Sequence, residues 1–144
     1  MATSTIAAVK AALVSLLAAR PGLHDVQVSY GPPLPNPGRE LVWIGEVEGE
    51  QQVAGLGNQA SYENYGVKVI ISVLREGGDA QSADERCFEI FAELENEVRQ
   101  EVYPVFGVAG VNAATIGAFT LEELASDTAR ESRLTVAVNV ETRI

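Results

Sequence analysis

The segment around Val69 constrains the fold more than any other part of the sequence. Large apolar residues occupy every second position along it: Tyr65, Val67, Val69, Ile71 and Val73. This two-residue period is typical of a β-strand that buries one face. Ile70 and Leu74 make the opposite face partly apolar as well, so we expect the strand in the centre of a sheet. The rest of the chain then has to supply partner strands and a layer that covers the apolar face.

Two helices are predicted from apolar residues that recur three and four positions apart. The first covers about residues 4–20, begins at a serine or threonine cap and ends at Pro21. The second covers about residues 82–102 and begins with a capping box formed by Ser82 and Glu85. Its apolar stripe consists of Cys87, Ile90, Phe91, Leu94 and Val98.

Four further strands complete the predicted sheet. Their alternating apolar residues place them at residues 26–30, 40–48, 114–122 and 134–141. In the strand 114–122, we expect Ile116, Ala118 and Thr120 on one face. The connecting segments are rich in proline, glycine or polar residues: the connector 31–38, a mobile hairpin loop 49–61 and the turn 126–131.

The predicted order of elements is α-β-β-β-α-β-β, which defines an α+β fold. Short connections favour antiparallel hairpins over parallel crossovers. Two one-sided helices most economically pack on one face of such an antiparallel sheet. A chain of 144 residues has the size of one domain, so we treat residues 1–144 as a single unit.

Composition excludes several classes of function. The formal net charge is −10, from 20 acidic and 10 basic residues, which argues against binding to the phosphate backbone of nucleic acid. The apolar stretch 6–19 is shorter than the roughly 20 residues of a membrane span, and it lacks the basic start of a signal peptide. We therefore expect a protein of the cytoplasm that has no contact with membranes.

Patterns for catalysis and metal binding are missing from the sequence. It contains one histidine, His24, and one cysteine, Cys87, and no serine lies in a Gly-x-Ser-x-Gly motif. We interpret His24 as an exposed turn residue and Cys87 as a small buried side chain of the second helix. One cysteine permits no internal disulfide and no zinc cluster, and the carboxylates are too scattered for a calcium loop. The sequence thus predicts no enzyme activity, no metal and no cofactor.

Glutamates recur every four residues along the second helix, and we call them the acidic ladder: Glu85, Glu89, Glu93, Glu97 and Glu101. Like charges at this spacing destabilise a helix by about 0.2–0.5 kcal/mol per pair. One interpretation is a solvated face that Arg86 and Arg99 partly relieve. The other is a surface that meets basic groups of a neighbouring subunit, or that faces a channel through which DNA passes. We expect glutamine at positions 89, 93 and 97 to leave the helix at least as stable.

Two further regions are candidates for contacts between subunits. The first is the glycine- and glutamine-rich loop with the tyrosine that follows it: Gln51, Gln52, Val53, Leu56, Asn58, Gln59 and Tyr62. We expect this loop to become ordered on assembly. The second is the terminal strand, which could pair across a subunit boundary and carries Arg133, Thr135, Asn139 and Arg143.

Several segments together resemble the tail terminator, or minor tail, proteins of long-tailed phages. They are the helix that begins Ile6-Ala-Ala-Val, the strand and turn Val26–Pro33, the strand Glu63–Arg75, the long second helix and the final strand Arg133–Arg143. The resemblance covers nearly the whole chain. It rests on the order, size and style of these segments rather than on a diagnostic motif.

The resemblance implies a structural virion protein that is made in the host cytoplasm and forms a hexameric ring. Such a ring terminates the tail tube at its head-proximal end and provides the joining surface for the head connector. Its partners are copies of itself, the tail tube protein and the head–tail connector, and DNA passes nearby without specific binding. Two alternatives stay open: a neck or head–tail completion protein, and a small cellular ligand-binding or adaptor domain.

Overall fold

The computed structural model describes residues 4–32, 39–53, 61–77, 79–99, 102–125 and 129–143. In these residues it confirms the α+β class, with two helices and a five-stranded sheet in the predicted order. The helices and strands are α1 Ile6–Ala18, β1 Gln27–Ser29, β2 Glu40–Val53, β3 Ser61–Glu76, α2 Ala80–Val98, β4 Val111–Ala125 and β5 Ala129–Arg143. Two short 3₁₀ turns, Pro21–Leu23 and Val105–Gly107, lie after α1 and before β4.

The strand order across the sheet is β1-β2-β3-β5-β4. The pairs β2–β3, β3–β5 and β5–β4 are antiparallel as expected, but β1 is parallel to β2. The expectation of antiparallel pairing is therefore wrong for β1. A strand of three residues is only about 10 Å long. The segment between Ser29 and Glu40 is therefore long enough to return the chain to the same end of the sheet.

β2 and β3 are longer than predicted, because residues assigned to the loop pair with each other. The ladder continues from Gly49 opposite Tyr65 to Val53 opposite Ser61. The prediction of a loop is therefore wrong for Gly49–Val53 and for Ser61. Residues 54–60 of the predicted loop lie outside the described residues. Glycine and glutamine are weak strand formers, but pairing with the segment Ser61–Tyr65, which contains two tyrosines, overrides their intrinsic preference.

β4 extends beyond the predicted range at both ends, and β5 begins at Ala129, inside the predicted turn. Residues 126–128 of that turn lie outside the described residues. A register shift between Ile116 and Phe119 also changes which side chains share a face. Phe119 lies opposite Val136, so Thr120 points away from the face of Ile116, contrary to the prediction.

α2 begins earlier than predicted, because Asp79 caps it. Asp79 Oδ1 accepts a hydrogen bond from the Ser82 backbone nitrogen at 3.0 Å. Glu85, the predicted partner of Ser82, instead accepts a hydrogen bond from Gln81 Nε2 at 2.9 Å. The predicted capping box is therefore wrong, since an aspartate cap places its carboxylate at the positive end of the helix dipole. The helix ends before Glu101, which lies outside the described residues.

Both helices pack on one face of the sheet, as predicted. α1 contacts β1 and β2, whereas α2 contacts β3, β5 and β4. The core between the two layers includes Val9, Leu13, Leu17, Cys87, Ile90, Leu94, Val42, Ile44, Val67, Val69, Ile71, Leu134, Val136 and Val138. The alternation that predicted the central strand therefore corresponds to its buried face. We call the opposite side of the sheet, which the helices leave uncovered, the open face.

Gly110 has a positive φ of 92°, which residues with a Cβ rarely adopt. A Cβ at this position would lie 2.8 Å from the Arg143 carbonyl oxygen. The Gly110 carbonyl oxygen also accepts a hydrogen bond from the Arg143 nitrogen at 2.9 Å, so the two backbones cannot separate without losing it. We expect Gly110→Ala to lower the free energy of unfolding by about 2 kcal/mol, measured by urea denaturation.

Gly77→Ala is the matched control for Gly110→Ala. Gly77 also has a positive φ, of 78°, but its Cβ would meet no heavy atom within 4 Å. The control should therefore cost only the backbone strain, about 1 kcal/mol. Equal losses in the two variants would show that the Arg143 contact contributes nothing to the effect.

Candidate assembly surfaces

His24 and Cys87 lie in the environments that the sequence predicts. His24 is exposed in the turn after α1, where its Nδ1 is 2.9 Å from the Pro21 carbonyl oxygen and its Nε2 is 3.2 Å from Asp25 Oδ1. Cys87 is buried, and its Sγ is 3.5 Å from the Ser132 carbonyl oxygen. Burial raises the pKa of the Cys87 thiol to about 12. The thiol is therefore protonated at neutral pH and is a poor nucleophile.

The described parts of the chain contain no group of three or more His, Cys, Asp or Glu residues that could hold a metal ion. In the same parts, no helix is both long and apolar enough to cross a membrane. Every buried side-chain nitrogen or oxygen that the structure describes has a hydrogen-bond partner. The hydrogen bonds of these buried polar groups therefore stabilise the fold.

Arg20, which follows α1, binds two members of the acidic ladder on α2. Its Nε donates to Glu93 Oε2 and its Nη1 donates to Glu97 Oε1. All three side chains are partly buried, and that of Glu97 is only 13% exposed. These contacts give Glu93 and Glu97 a partner within the subunit, which offsets their mutual repulsion. Sequence reasoning missed this partner because Arg20 lies 73 residues from Glu93 along the chain.

The other ladder residues have different surroundings. Glu89 lies 3.0 Å from Arg86 Nη1, so the predicted relief by Arg86 is confirmed. Arg99 binds Glu95, which is not a member of the ladder, so the predicted relief by Arg99 is wrong. Glu85 and Glu89 are exposed. A role for these two carboxylates toward a partner or a DNA channel remains a prediction.

The terminal-strand candidates and Tyr62 lie together on the open face. The residues of β5 that face the helices are Leu134, Val136, Val138 and Val140. The intervening candidates point the other way: Arg133, Thr135, Asn139 and Arg143. Tyr62 lies opposite Arg143, whose Cζ is 5.9 Å from the centre of the tyrosine ring. Arg133 lies at the same distance over the ring of Trp43, so both guanidinium groups are held close to the sheet.

Glycines on the neighbouring strands leave room for two side chains of the open face. Asn139 lies between Gly66 and Gly117, where an added Cβ would be 3.2 Å and 2.5 Å from its side-chain amide. Ile70 reaches across Gly45 in the same way, with its Cδ1 2.4 Å from the position of an added Cβ. The side chains of Asn139 and Ile70 therefore lie along the sheet rather than project from it.

The loop candidates fall into two groups. Gln51 and Gln52 are exposed strand residues, and the Gln51 Nε2 donates to Glu63 Oε2 at 2.8 Å. Gln52 Nε2 lies 3.4 Å from Glu50 Oε1. The backbone of Val53 pairs in the β2–β3 ladder. The other three candidates lie outside the described residues: Leu56, Asn58 and Gln59.

Glu63 forms a buried cluster at the start of α1 that the sequence did not reveal. The residue is only 3% exposed. Its Oε1 accepts hydrogen bonds from the Thr5 nitrogen at 3.1 Å and from Thr5 Oγ1 at 3.3 Å. Because a carboxylate can only accept, Thr5 Oγ1 is left to accept from the Tyr65 hydroxyl, 2.8 Å away. A carboxylate from β3 therefore caps α1 from outside the helix.

The hydrogen bonds of this cluster decide the charge of Glu63. Burial pushes its pKa upward, but the hydrogen bonds from Gln51, Ser4 and Thr5 outweigh burial and lower the pKa below its ordinary value. At Tyr65 burial is the largest cause and raises the pKa to about 12, with the hydrogen bond to Thr5 opposing the rise and the charge of Glu63 adding to it. Glu63 is thus ionised at neutral pH, and the neighbouring Tyr65 is neutral.

β4 lies at one edge of the sheet, and among the described residues it pairs only with β5. Residues 111–121 contain no charged residue and no proline, two features that usually block pairing at a sheet edge. Three phenylalanines cluster beside it, with ring centres 6.1 Å apart for Phe88 and Phe91 and 5.5 Å apart for Phe91 and Phe119. Phe88 and Phe119 remain 43% and 55% exposed. We call Phe88, Phe119 and the edge 111–121 the β4 flank.

α1 covers the other end of the sheet, over β1 and β2. The exposed residues of the helix and its end are Ala7, Ala8, Ala11, Ser15, Ala18 and Ala19. Residues 1–24 contain no Asp or Glu, although acidic residues outnumber basic ones two to one in the whole chain. Lys10 is the charged residue of α1, and its Nζ lies 4.3 Å from the centre of the Tyr30 ring. We call the exposed face of α1, with Lys10 and Tyr30, the α1 flank.

No protein-family model matches the sequence, and no curated protein shows significant similarity to it. The fold does have a counterpart among solved structures. A chain from the virion of a native gene transfer agent particle superposes with a TM-score of 0.66, at 16% sequence identity. The match covers 97% of this chain and 99% of that chain. The two chains therefore share one fold over nearly their whole lengths.

Proposed function

We propose that this protein is a structural component of a phage-like virion. In this proposal it forms a ring, a hexamer by its resemblance to tail terminators, at the head-proximal end of the tail. The ring stops growth of the tail tube and offers a joining surface to the head connector. The protein acts by contacts between subunits and carries out no catalysis.

The observation that supports the proposal most strongly is the end-to-end match with a chain of a virion particle. Coverage of nearly all of both chains means that the whole domain is shared, not a supersecondary motif common to many folds. The resemblance of the sequence to tail terminators points to the same kind of particle. The open face and the two flanks supply surfaces of the kind that assembly needs.

The charge of the protein fits a place beside moving DNA. A net charge of −10 repels phosphates, so a duplex can pass without being held. Strand β2 adds Glu46, Glu48 and Glu50 close together, and the proximity of Glu46 raises the pKa of Glu48. Specific binding to DNA is not part of the proposed function.

The test is to observe the purified full-length protein alone and with tail tubes. We expect light scattering to show a closed oligomer at high protein concentration, and negative-stain electron microscopy to show rings and capped tube ends. Heads with their connectors, but no tails, serve as the comparison. A protein that stays monomeric and binds neither tubes nor heads contradicts the proposal, and rings that bind heads alone indicate a neck protein instead.

A further inference from the structure

We infer that neighbouring copies of this chain contact each other head to tail, with the β4 flank of one copy seated on the α1 flank of the next. This inference rests on the proposed function, because it specifies which surfaces close the ring. It concerns surfaces that the sequence did not single out: Phe88, Phe119 and the exposed face of α1.

The β4 flank has the chemistry of a surface that is covered in the assembled state. Among the described residues its edge strand pairs on one side only, with β5, and residues 111–121 carry no charge or proline to block pairing on the other side. Phe88 and Phe119 stand exposed beside that edge, and Phe91 supports both from below. Aromatic side chains held rigidly in this way are typical anchors of protein interfaces.

The α1 flank has a composition that allows the β4 flank to pack closely against it. α2 presents charged residues such as Glu85 and Glu89 outward, whereas α1 presents alanines and one serine. A helix whose outer surface is mostly apolar is normally covered there as well, and α1 is covered on one side within the subunit. Small side chains also let a neighbouring element approach the helix closely.

Charge and position identify a second copy of this chain as the occupant. The β4 flank is bordered by carboxylates at Asp84, Glu122 and Glu123, and the proximity of Asp84 raises the pKa of Glu123. The α1 flank has no acidic residue and carries Lys10. One flank is therefore acidic and aromatic, and the other is cationic and small.

The two flanks lie at opposite ends of the strand order. α1 contacts β1 and β2, and β4 is the last strand at the other end. An interface between two different patches on opposite sides of a subunit is heterologous, and such an interface closes into a ring when the rotation between neighbours is a whole fraction of a turn. A pairing of one flank with itself would stop at a dimer.

The first experiment measures the mass of the particle that each single variant forms, under the conditions in which the wild type forms rings. Phe119→Asp blocks the β4 flank, and Ala11→Glu blocks the α1 flank with a residue that suits a helix. We expect loss of rings in both and a mass of one subunit. Leu124→Asp is the matched control, because it adds the same charge at an exposed apolar residue of β4 but lies opposite Glu131, beyond the β4 flank. It should still form rings.

The second experiment mixes the two blocked variants in equal amounts. Each retains one working flank, so we expect a dimer of about twice the subunit mass and nothing larger. Circular dichroism and thermal melting confirm that each variant is folded, and Phe88→Asp replaces Phe119→Asp if the latter is not.

The outcomes separate this inference from the proposed function. Wild-type protein that forms no ring, alone or on tubes, contradicts the function itself. Wild-type rings together with rings of folded Phe119→Asp or Ala11→Glu, loss of rings in Leu124→Asp, or a mixture that stays monomeric all contradict the assignment of the flanks while the function stands.

Discussion

Replacing Glu63 with leucine is expected to lower the free energy of unfolding by about 3–4 kcal/mol. The buried carboxylate accepts hydrogen bonds from Thr5 and Gln51. Leucine leaves the Thr5 nitrogen without its acceptor at the start of α1, and a buried donor without a partner is costly. Urea denaturation followed by circular dichroism measures the loss. Glu50→Leu is the control, because Glu50 lies on β2 close by but is exposed.

The acid dependence of this effect has a definite sign. The pKa of Glu63 is below its ordinary value of 4.5 in the folded protein. Its contribution is therefore fully present well above pH 4.5 and is lost as the pH falls through the lower folded value. We expect the stability difference between the wild type and Glu63→Gln to be constant near neutral pH and to shrink in acid. A difference that grows as the pH falls below 4.5 contradicts the assigned charge of Glu63.

Replacing Arg20 with glutamine is expected to lower the free energy of unfolding by about 2–3 kcal/mol. The change removes the hydrogen bonds to Glu93 and Glu97 and leaves two partly buried carboxylates one turn apart on α2. Thermal melting at low and high salt measures the loss, which should decrease in high salt as the repulsion is screened.

Arg99→Gln is the control for Arg20→Gln. Its side chain is 71% exposed, and its pair with Glu95 should contribute less than about 0.5 kcal/mol. The same structure reverses the expectation from the sequence that glutamine at positions 89, 93 and 97 preserves stability, since two of these residues bind Arg20. An unchanged melting temperature in Arg20→Gln restores the interpretation of a freely solvated ladder.

The spacing of apolar residues predicted those parts of the fold in which each helix or strand buries one face. The alternation around Val69 and the stripe from Cys87 to Val98 became the two sides of the core. A buried face repeats with the period of its own element, so it can be read without knowing what covers it. The class, the order of elements and the side on which the helices pack follow from these patterns.

The features that the sequence did not predict depend on residues far apart in the chain. Thr5 and Glu63 are 58 positions apart, and Arg20 and Glu97 are 77 positions apart. Which carboxylate meets which donor depends on the tertiary arrangement, and no periodic pattern encodes it.

The register shift before Phe119 is another feature that the sequence did not predict. A single irregularity in a strand moves every later side chain to the other face. Phe119 therefore joined Phe88 and Phe91 beside the helix, where the sequence placed no contact. Phe88 did give a signal, since it is a large apolar residue next to the predicted stripe of α2 rather than within it.

Cys87 gives the protein a built-in reporter of motion. The sulfur is completely shielded between α2 and the strands β3 and β5, where it contacts the carbonyl oxygens of Ile71 and Ser132. A thiol-modifying reagent can reach it only when the helix lifts from the sheet, so the labelling rate counts those openings. Comparing this rate in free subunits and in completed particles would show how far incorporation stiffens each copy, with no introduced label.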